Sequence, residues 1–160
     1  MSEGDLLAVW LTLKLAASTT AILLLLSPPL AWWLSRSQHR LRPLVEAMVA
    51  LPLVLPPTVL GFYLLLAFSP EYGLGDWWRE TFGAPLAFSF LGLLIASVIY
   101  SLPFVVQPLT SAFVNMGSKE LEAAATLGLG PLERFFQIIL PMTLPSFVMA
   151  AALGLSLIHI

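Results

Sequence analysis

The charged side chains that could do chemistry are few, and five of them lie close together between residues 118 and 145: Lys119, Glu120, Glu122, Glu133 and Arg134. Almost wholly apolar segments flank them. The chain has no cysteine, and its two histidines, His39 and His159, are isolated, so the pattern predicts no metal site. It also has no paired carboxylates at membrane depth and no glycine-rich phosphate loop, which argues against catalysis and against ATP binding by that route. A polar, structured segment between apolar ones indicates a surface that binds a partner.

Composition sets the class of protein that must position this segment. The 160 residues are 59% apolar and only 10% charged, against about 25% charged in average soluble domains. The mean hydropathy is +0.93. We therefore predict an all-α polytopic membrane protein in contact with lipid. The net charge of -2 is too small to favour a nucleic-acid partner, and no cofactor is predicted.

The apolar segments predict about four transmembrane helices in a single domain that covers residues 1–160. The predicted spans are 6–34, 44–68, 86–107 and 142–160, and each is long enough to cross a hydrocarbon layer of about 30 Å. The polar loop between the third and fourth spans covers about 113–141.

This polar loop is expected to form two short helices with a bend. Ser118 suits the N-cap of the first helix, and Gly128 and Gly130 suit its end and the turn that follows. Pro131 suits the first position of the second helix. Pro141 is expected to mark the return to apolar sequence.

The residues at fixed separations in this loop resemble the EAA loop of ABC importer permeases: Glu122, Ala123, Ala124, Gly128, Ile138, Leu140 and Pro141. The resemblance implies the type I ABC importer permease fold, with a cytoplasmic loop whose short helices fit a groove on a separate ATPase subunit. The alternative is an ordinary amphipathic hairpin on the membrane surface, which needs neither Gly128 nor the Leu140–Pro141 pair at that distance.

The distribution of basic residues predicts the orientation. The loop at 35–43 carries Arg36, Arg40 and Arg42, and the EAA-like loop carries Lys119 and Arg134, whereas the loop at 69–85 carries only Arg79. By the positive-inside rule the first and third loops are cytoplasmic, and the N-terminus is external. This count is independent of the family resemblance and agrees with it.

The second span is similar to the corresponding span of permeases for molybdate, tungstate and sulfate, and it is rich in proline. Irregular backbone in a span must be covered by protein or line a cavity, so five residues are candidates to line the translocation path: Pro52, Pro56, Pro57, Thr58 and Gly61. A kinked packing helix without contact to substrate is the alternative. Molybdate is the expected substrate, with sulfate or another oxyanion as the alternative.

The resemblance also implies an assembly in the bacterial inner membrane: a homodimer of permeases, two ATP-binding subunits and an external oxyanion-binding protein. Lys14 is the one charge inside a span, and we expect it to extend toward the interface rather than to touch substrate. A stand-alone secondary transporter is disfavoured because such proteins place several ionisable groups at mid-span. Permeases of this group continue beyond the fourth span, so an inactive, shortened permease or membrane scaffold is a further alternative.

Overall fold

A computed structural model describes residues 3–117 and 119–158. It is helical, and the described residues contain no β-strand, which confirms the all-α prediction. The elements are α1 (Glu3–Arg36), α2 (Arg42–Val54), α3 (Pro57–Phe68), α4 (Gly73–Phe82), α5 (Phe90–Asn115), α6 (Lys119–Thr126), α7 (Pro131–Arg134), a π-helical segment (Phe135–Ile139) and α8 (Leu140–Ile158). The N-cap predicted at Ser118 lies outside the described residues.

Three of the described helices are long and apolar enough to cross a membrane: Glu3–Arg36, Phe90–Asn115 and Phe135–Ser156. A fourth crossing exists if α2 and α3, which are bent by 112° at the break between them, are counted as one span. The chain is therefore a multi-pass membrane protein by the length and composition of its helices.

The core lies where α1, α5 and α8 pack together. Lys14 lies over the ring of Phe90, the first residue of α5, and Arg36 at the end of α1 donates to the carbonyl of Gly117, just after α5. These two contacts show that α1 and α5 run in the same direction. The ring of Phe147 in α8 lies 6.3 Å from that of Phe113, whereas Gly154, farther along α8, faces Thr20 near the middle of α1, so α8 runs antiparallel to both.

The segment of the predicted second span, 44–68, contains the two helices α2 and α3, with irregular backbone between them. Leu55 and Pro56 adopt extended backbone with ψ of 134° and 139°, because a residue before proline is disfavoured in the α region and neither Pro56 nor Pro57 has an N–H to donate. Pro57 begins α3. Since Arg42 donates to Ser37 after α1 and Phe68 accepts from Ala87 before α5, the bent pair connects the two ends of the α1–α5 pair.

The short helix α4 packs closely on the end of α3. A Cβ on Gly75 would lie only 2.1 Å from the carbonyl oxygen of Ser69, so only glycine allows this approach. Trp78 stacks on Phe82 with ring centroids 4.1 Å apart. This amphipathic helix therefore lies at the end of the molecule opposite Arg36, where tryptophan suits a membrane interface.

Candidate functional site

The EAA-like loop lies at the end of the molecule where α1 and α5 finish. The side chain of Arg36 fixes this junction. Its Nη2 donates to the carbonyls of Phe113 and Gly117 at 3.3 and 2.7 Å, and its guanidinium lies over the ring of Trp32 at 5.2 Å. The last carbonyls of α5 have no partner within the helix, so a cation at this position satisfies them and is favoured by the negative helix end. Arg36 thus holds the backbone at Gly117, two residues before Lys119, where the first helix of the EAA-like loop begins.

Gly128 ends the first loop helix in a left-handed conformation. Its φ is +79°, and the N–H of Leu129 donates to the carbonyl of Ala124 at 3.2 Å. This six-residue closure is the Schellman motif, in which glycine at this position carries no Cβ penalty. The turn predicted at Gly128 is therefore present, and its glycine is required by backbone conformation rather than by crowding, because no atom lies within 4 Å of a Cβ built there.

The second loop helix begins as the sequence predicts. Pro131 is the first residue of α7, and Glu133 Oε2 accepts from the N–H of Gly130 at 2.8 Å. This is the reciprocal half of a capping box, which satisfies a donor that the helix start would leave unpaired. Arg134 Nε donates back to the carbonyl of Leu129 at 2.7 Å, so the two loop helices are joined by a turn with its own hydrogen bonds.

The helix continues through Pro141, where the apolar sequence is expected to resume. α7, the π-helical segment and α8 follow each other without a break from Pro131 to Ile158. The N–H of Leu140 reaches back five residues to Phe135. Pro141 has no N–H, so it cannot make the usual hydrogen bond to the preceding turn, and its ring would clash with the carbonyl there. The wider π-helical turn just before Pro141 relieves that clash.

The structure places the seven EAA-like residues on consecutive parts of this unit. Glu122, Ala123 and Ala124 lie in α6, Gly128 caps it, Ile138 lies in the π-helical segment, and Leu140 and Pro141 begin α8. Ala124 is buried, whereas Glu122, Ala123, Gly128 and Pro141 are exposed. Two apolar side chains that the sequence analysis did not single out are also exposed here: Leu127 at 80% and Phe136 at 60%. The loop therefore presents exposed apolar side chains and an exposed carboxylate on a helical turn with its own hydrogen bonds.

The five proposed path-lining residues lie in the α2–α3 segment and not in the EAA-like loop. Pro52 is buried in α2, whereas Pro56, Pro57 and Thr58 are exposed at the break. Gly61 lines an apolar cleft of about 630 Å³ between α1, α3 and the start of α5. Lys14 is exposed and lies over Phe90 at the beginning of α5, 5.0 Å from its ring centroid.

A second recess, of about 380 Å³, lies between α2 and the last part of α5. Glu46, Gln107, Thr110 and Ser111 supply its polar lining. Glu46 and Arg42 lie one turn apart on α2 but form no ion pair among the described residues; Arg42 donates to the carbonyl of Ser37 at 3.5 Å. The signal in the sequence that could have found this recess is an acidic and an amide side chain inside the apolar segments 44–68 and 86–107.

Comparison with known proteins gives a consistent family. Residues 25–160 match the family model described as binding-protein-dependent transport system inner membrane component. The chain is 51% identical over 154 residues to the molybdenum transport system permease protein ModB of Azotobacter vinelandii, an alignment that covers 96% of this chain and 68% of that protein. It is 32% identical over 154 residues to the protein of the same name from Escherichia coli strain K12, covering 96% and 67%. The sulfate transport system permease protein CysT of Synechocystis is 36% identical over 126 residues, covering 79% and 44%. The chain thus spans about two thirds of the length of these molybdenum permeases.

Proposed function

The chain belongs to the family of binding-protein-dependent transport system inner membrane components, and from this premise we propose that it is the permease subunit of an ATP-driven importer for molybdate. It is a transport subunit rather than an enzyme, and a separate ATP-binding subunit hydrolyses ATP. The molybdenum permeases it resembles are 51% and 32% identical over 154 residues. Sulfate permeases match over a shorter part of the chain, which makes sulfate the second candidate.

The observation that carries this proposal is the capped helical turn of the EAA-like loop. Leu127 and Phe136 project apolar surface from it, and Glu122 adds an exposed carboxylate. A preformed turn loses little conformational freedom when it enters a groove, and exposed apolar side chains rimmed by polar ones mark interaction surfaces. We assign this surface to the ATP-binding subunit, with Glu122, Ala123, Ala124, Gly128, Ile138, Leu140 and Pro141 as the coupling residues.

The proposed arrangement places the EAA-like loop in the cytoplasm and the N-terminus outside. Arg36 lies against Gly117 at the start of this loop, so the two loops that carry most of the basic residues share one end of the molecule. That proximity supports the orientation deduced from the positive-inside rule. The assembly we propose contains two copies of the chain, two ATP-binding subunits and an external oxyanion-binding protein, in the bacterial inner membrane.

The bent α2–α3 pair is our proposal for part of the translocation path. Pro56, Pro57 and Thr58 are exposed, and the backbone of Leu55 and Pro56 is non-helical. Such backbone is tolerated in a membrane where it faces protein or water. Pro52 is buried and contributes packing, whereas Gly61 borders the apolar cleft.

Charge reversal at Glu122 tests the docking surface. We expect Glu122→Lys to reduce co-purification of the ATP-binding subunit and ATP-dependent molybdate uptake into membrane vesicles, because an exposed charge at an interface guides recognition. Glu80→Lys is the matched control, since Glu80 is also an exposed helical glutamate but lies in α4 at the opposite end. Equal co-purification for both variants would contradict the assignment of this loop.

Substrate is tested separately, by uptake of labelled molybdate in competition with unlabelled sulfate. We expect unlabelled molybdate to compete at much lower concentration than sulfate. Preferential competition by sulfate would transfer the assignment to the second candidate without affecting the docking surface.

A further inference from the structure

The recess between α2 and α5 places polar side chains within helices that have the composition of membrane spans. Gln107 and Ser111 are both exposed and lie one turn apart on α5, and Glu46 of α2 faces the same recess. Gln107 precedes the last residue of α5, Asn115, by eight residues, which corresponds to about 12 Å along the helix. The recess therefore lies about one to two turns from the last residue of α5 and about one turn from the first residue of α2.

Hydrocarbon is a poor environment for these groups. An amide without a hydrogen-bond partner is costly in lipid, and ionisable side chains in spans face protein or a water-filled cavity. Apolar residues are available for lipid contact elsewhere in the chain, for example Val148 on α8, which is 61% exposed. A volume of about 380 Å³ accommodates on the order of ten water molecules at the volume each has in the liquid. The volume fits water, and four of the eight lining residues are polar, the apolar ones being Leu34, Val49, Ala50 and Val106.

We propose that this recess is a hydrated section of the translocation path, through which the ion leaves toward the end of the molecule that carries the EAA-like loop. The proposal rests on the proposed transport function and adds the residues that line the exit. They are Gln107 and Ser111 on one side and Glu46 on the other.

The chemistry of the lining suits passage rather than retention of an oxyanion. The hydroxyl of Thr110 donates to the carbonyl of Val106 at 2.8 Å, so it offers the recess only lone pairs. Gln107 and Ser111 are left as donors, and the carboxylate of Glu46 repels an anion. An ion that reaches this point stays hydrated and is released.

Cysteine accessibility tests the proposal directly, because the chain has no cysteine and each variant carries a single reactive thiol. Ser111→Cys and Gln107→Cys are compared with Val148→Cys in inside-out membrane vesicles, using a membrane-impermeant, positively charged methanethiosulfonate. Val148 is a suitable control because its neighbour Phe147 contacts Phe113 at a similar level of α5. The thiolate is the reactive form and needs water, so we expect the recess positions to react about tenfold faster or more.

The charge of Glu46 gives a second, independent readout. At Ser111→Cys the positively charged reagent should react faster than a negatively charged methanethiosulfonate of similar size, and adding Glu46→Gln should reduce that ratio toward one. Ser111→Cys is nearly isosteric, so it keeps the test decisive if Gln107→Cys accumulates poorly in the membrane.

Two results would overturn the proposal. Reaction of both recess positions as slow as that of Val148→Cys would show that the face is dry. Protection from reagent together with oxidative cross-linking between two copies would make the face an interface between permeases. Neither result depends on which oxyanion is transported, so a failure of molybdate uptake and a failure of the recess are distinguishable.

Discussion

Replacement of Gly128 separates backbone conformation from surface chemistry in the EAA-like loop, which we propose docks the ATP-binding subunit. With φ at +79°, Gly128 occupies a region that costs other L-residues about 1–2 kcal/mol. A Cβ there meets no atom within 4 Å, so Gly128→Ala adds this conformational cost without a clash. Such a cost changes the population of the capped turn by up to about 5–30-fold. The apparent dissociation constant for the ATP-binding subunit rises in proportion to the loss of the competent conformation.

The matched variant is Gly128→Asn, at the same position. Asparagine is larger than alanine but adopts the left-handed conformation far more readily. If the turn matters through its backbone, affinity falls in the order Gly, Asn, Ala. If the position matters because a partner's surface leaves no room, the smaller alanine is tolerated better than asparagine.

Titration of the detergent-solubilised permease with the ATP-binding subunit measures this order, and thermal unfolding monitors the helical core. We expect the unfolding midpoint to change little, because Gly128 is exposed and lies outside the α1–α5–α8 core. Tighter binding by Gly128→Ala than by Gly128→Asn would refute the conformational argument.

Two further substitutions test the packing and the single cation inside a span. Gly154→Ala should leave the unfolding midpoint in detergent nearly unchanged, because its Cβ would lie 3.5 Å from Thr20 Oγ1 and 3.8 Å from Val105 Cγ2, which is ordinary contact. Gly154→Leu should destabilise the helical core by about 1–3 kcal/mol through overpacking. Equal unfolding midpoints for the two variants would contradict the close approach of α8 to α1 and α5. Lys14→Gln should leave molybdate uptake unchanged, because the exposed ammonium lies over Phe90 at the start of α5; a severe loss of uptake would instead give Lys14 a part in handling the anion.

The turn between the two helices of the EAA-like loop could be predicted from sequence, because the signals that shape it are local. Gly128 sets the left-handed cap, Pro131 begins the next helix, and Glu133 reaches only three residues back to Gly130. Each of these contacts joins residues within one or two turns, where residue type and spacing are sufficient. The contact of Arg36 with Gly117 joins residues 81 apart, and no local pattern predicts it.

The two proline pairs show how tertiary packing overrides a local signal. Pro56 and Pro57 are exposed, and the chain breaks there into α2 and α3. Pro28 and Pro29 lie inside α1, which continues through them. Pro28 and its neighbours Ser27 and Ala31 are buried against the helical core, and this packing holds the helix together where proline alone would favour a break. A Pro–Pro pair therefore lies inside a continuous helix in the first span and at a helix break in the second.

Continuity through Pro141 has a mechanical consequence that the sequence analysis did not anticipate. Thr143 donates its hydroxyl to the carbonyl of Ile139 at 2.5 Å, one turn back across Pro141. A displacement of the EAA-like turn would therefore pass directly into α8, because α7, the π-helical segment and α8 follow each other without a break. Through the ring contact of Phe147 with Phe113 the same displacement reaches α5 beside the carbonyls that Arg36 holds. The EAA-like turn is thus connected to all three core helices, to α8 by continuous helix, to α5 through the contact of Phe147 with Phe113, and to α1 through Arg36.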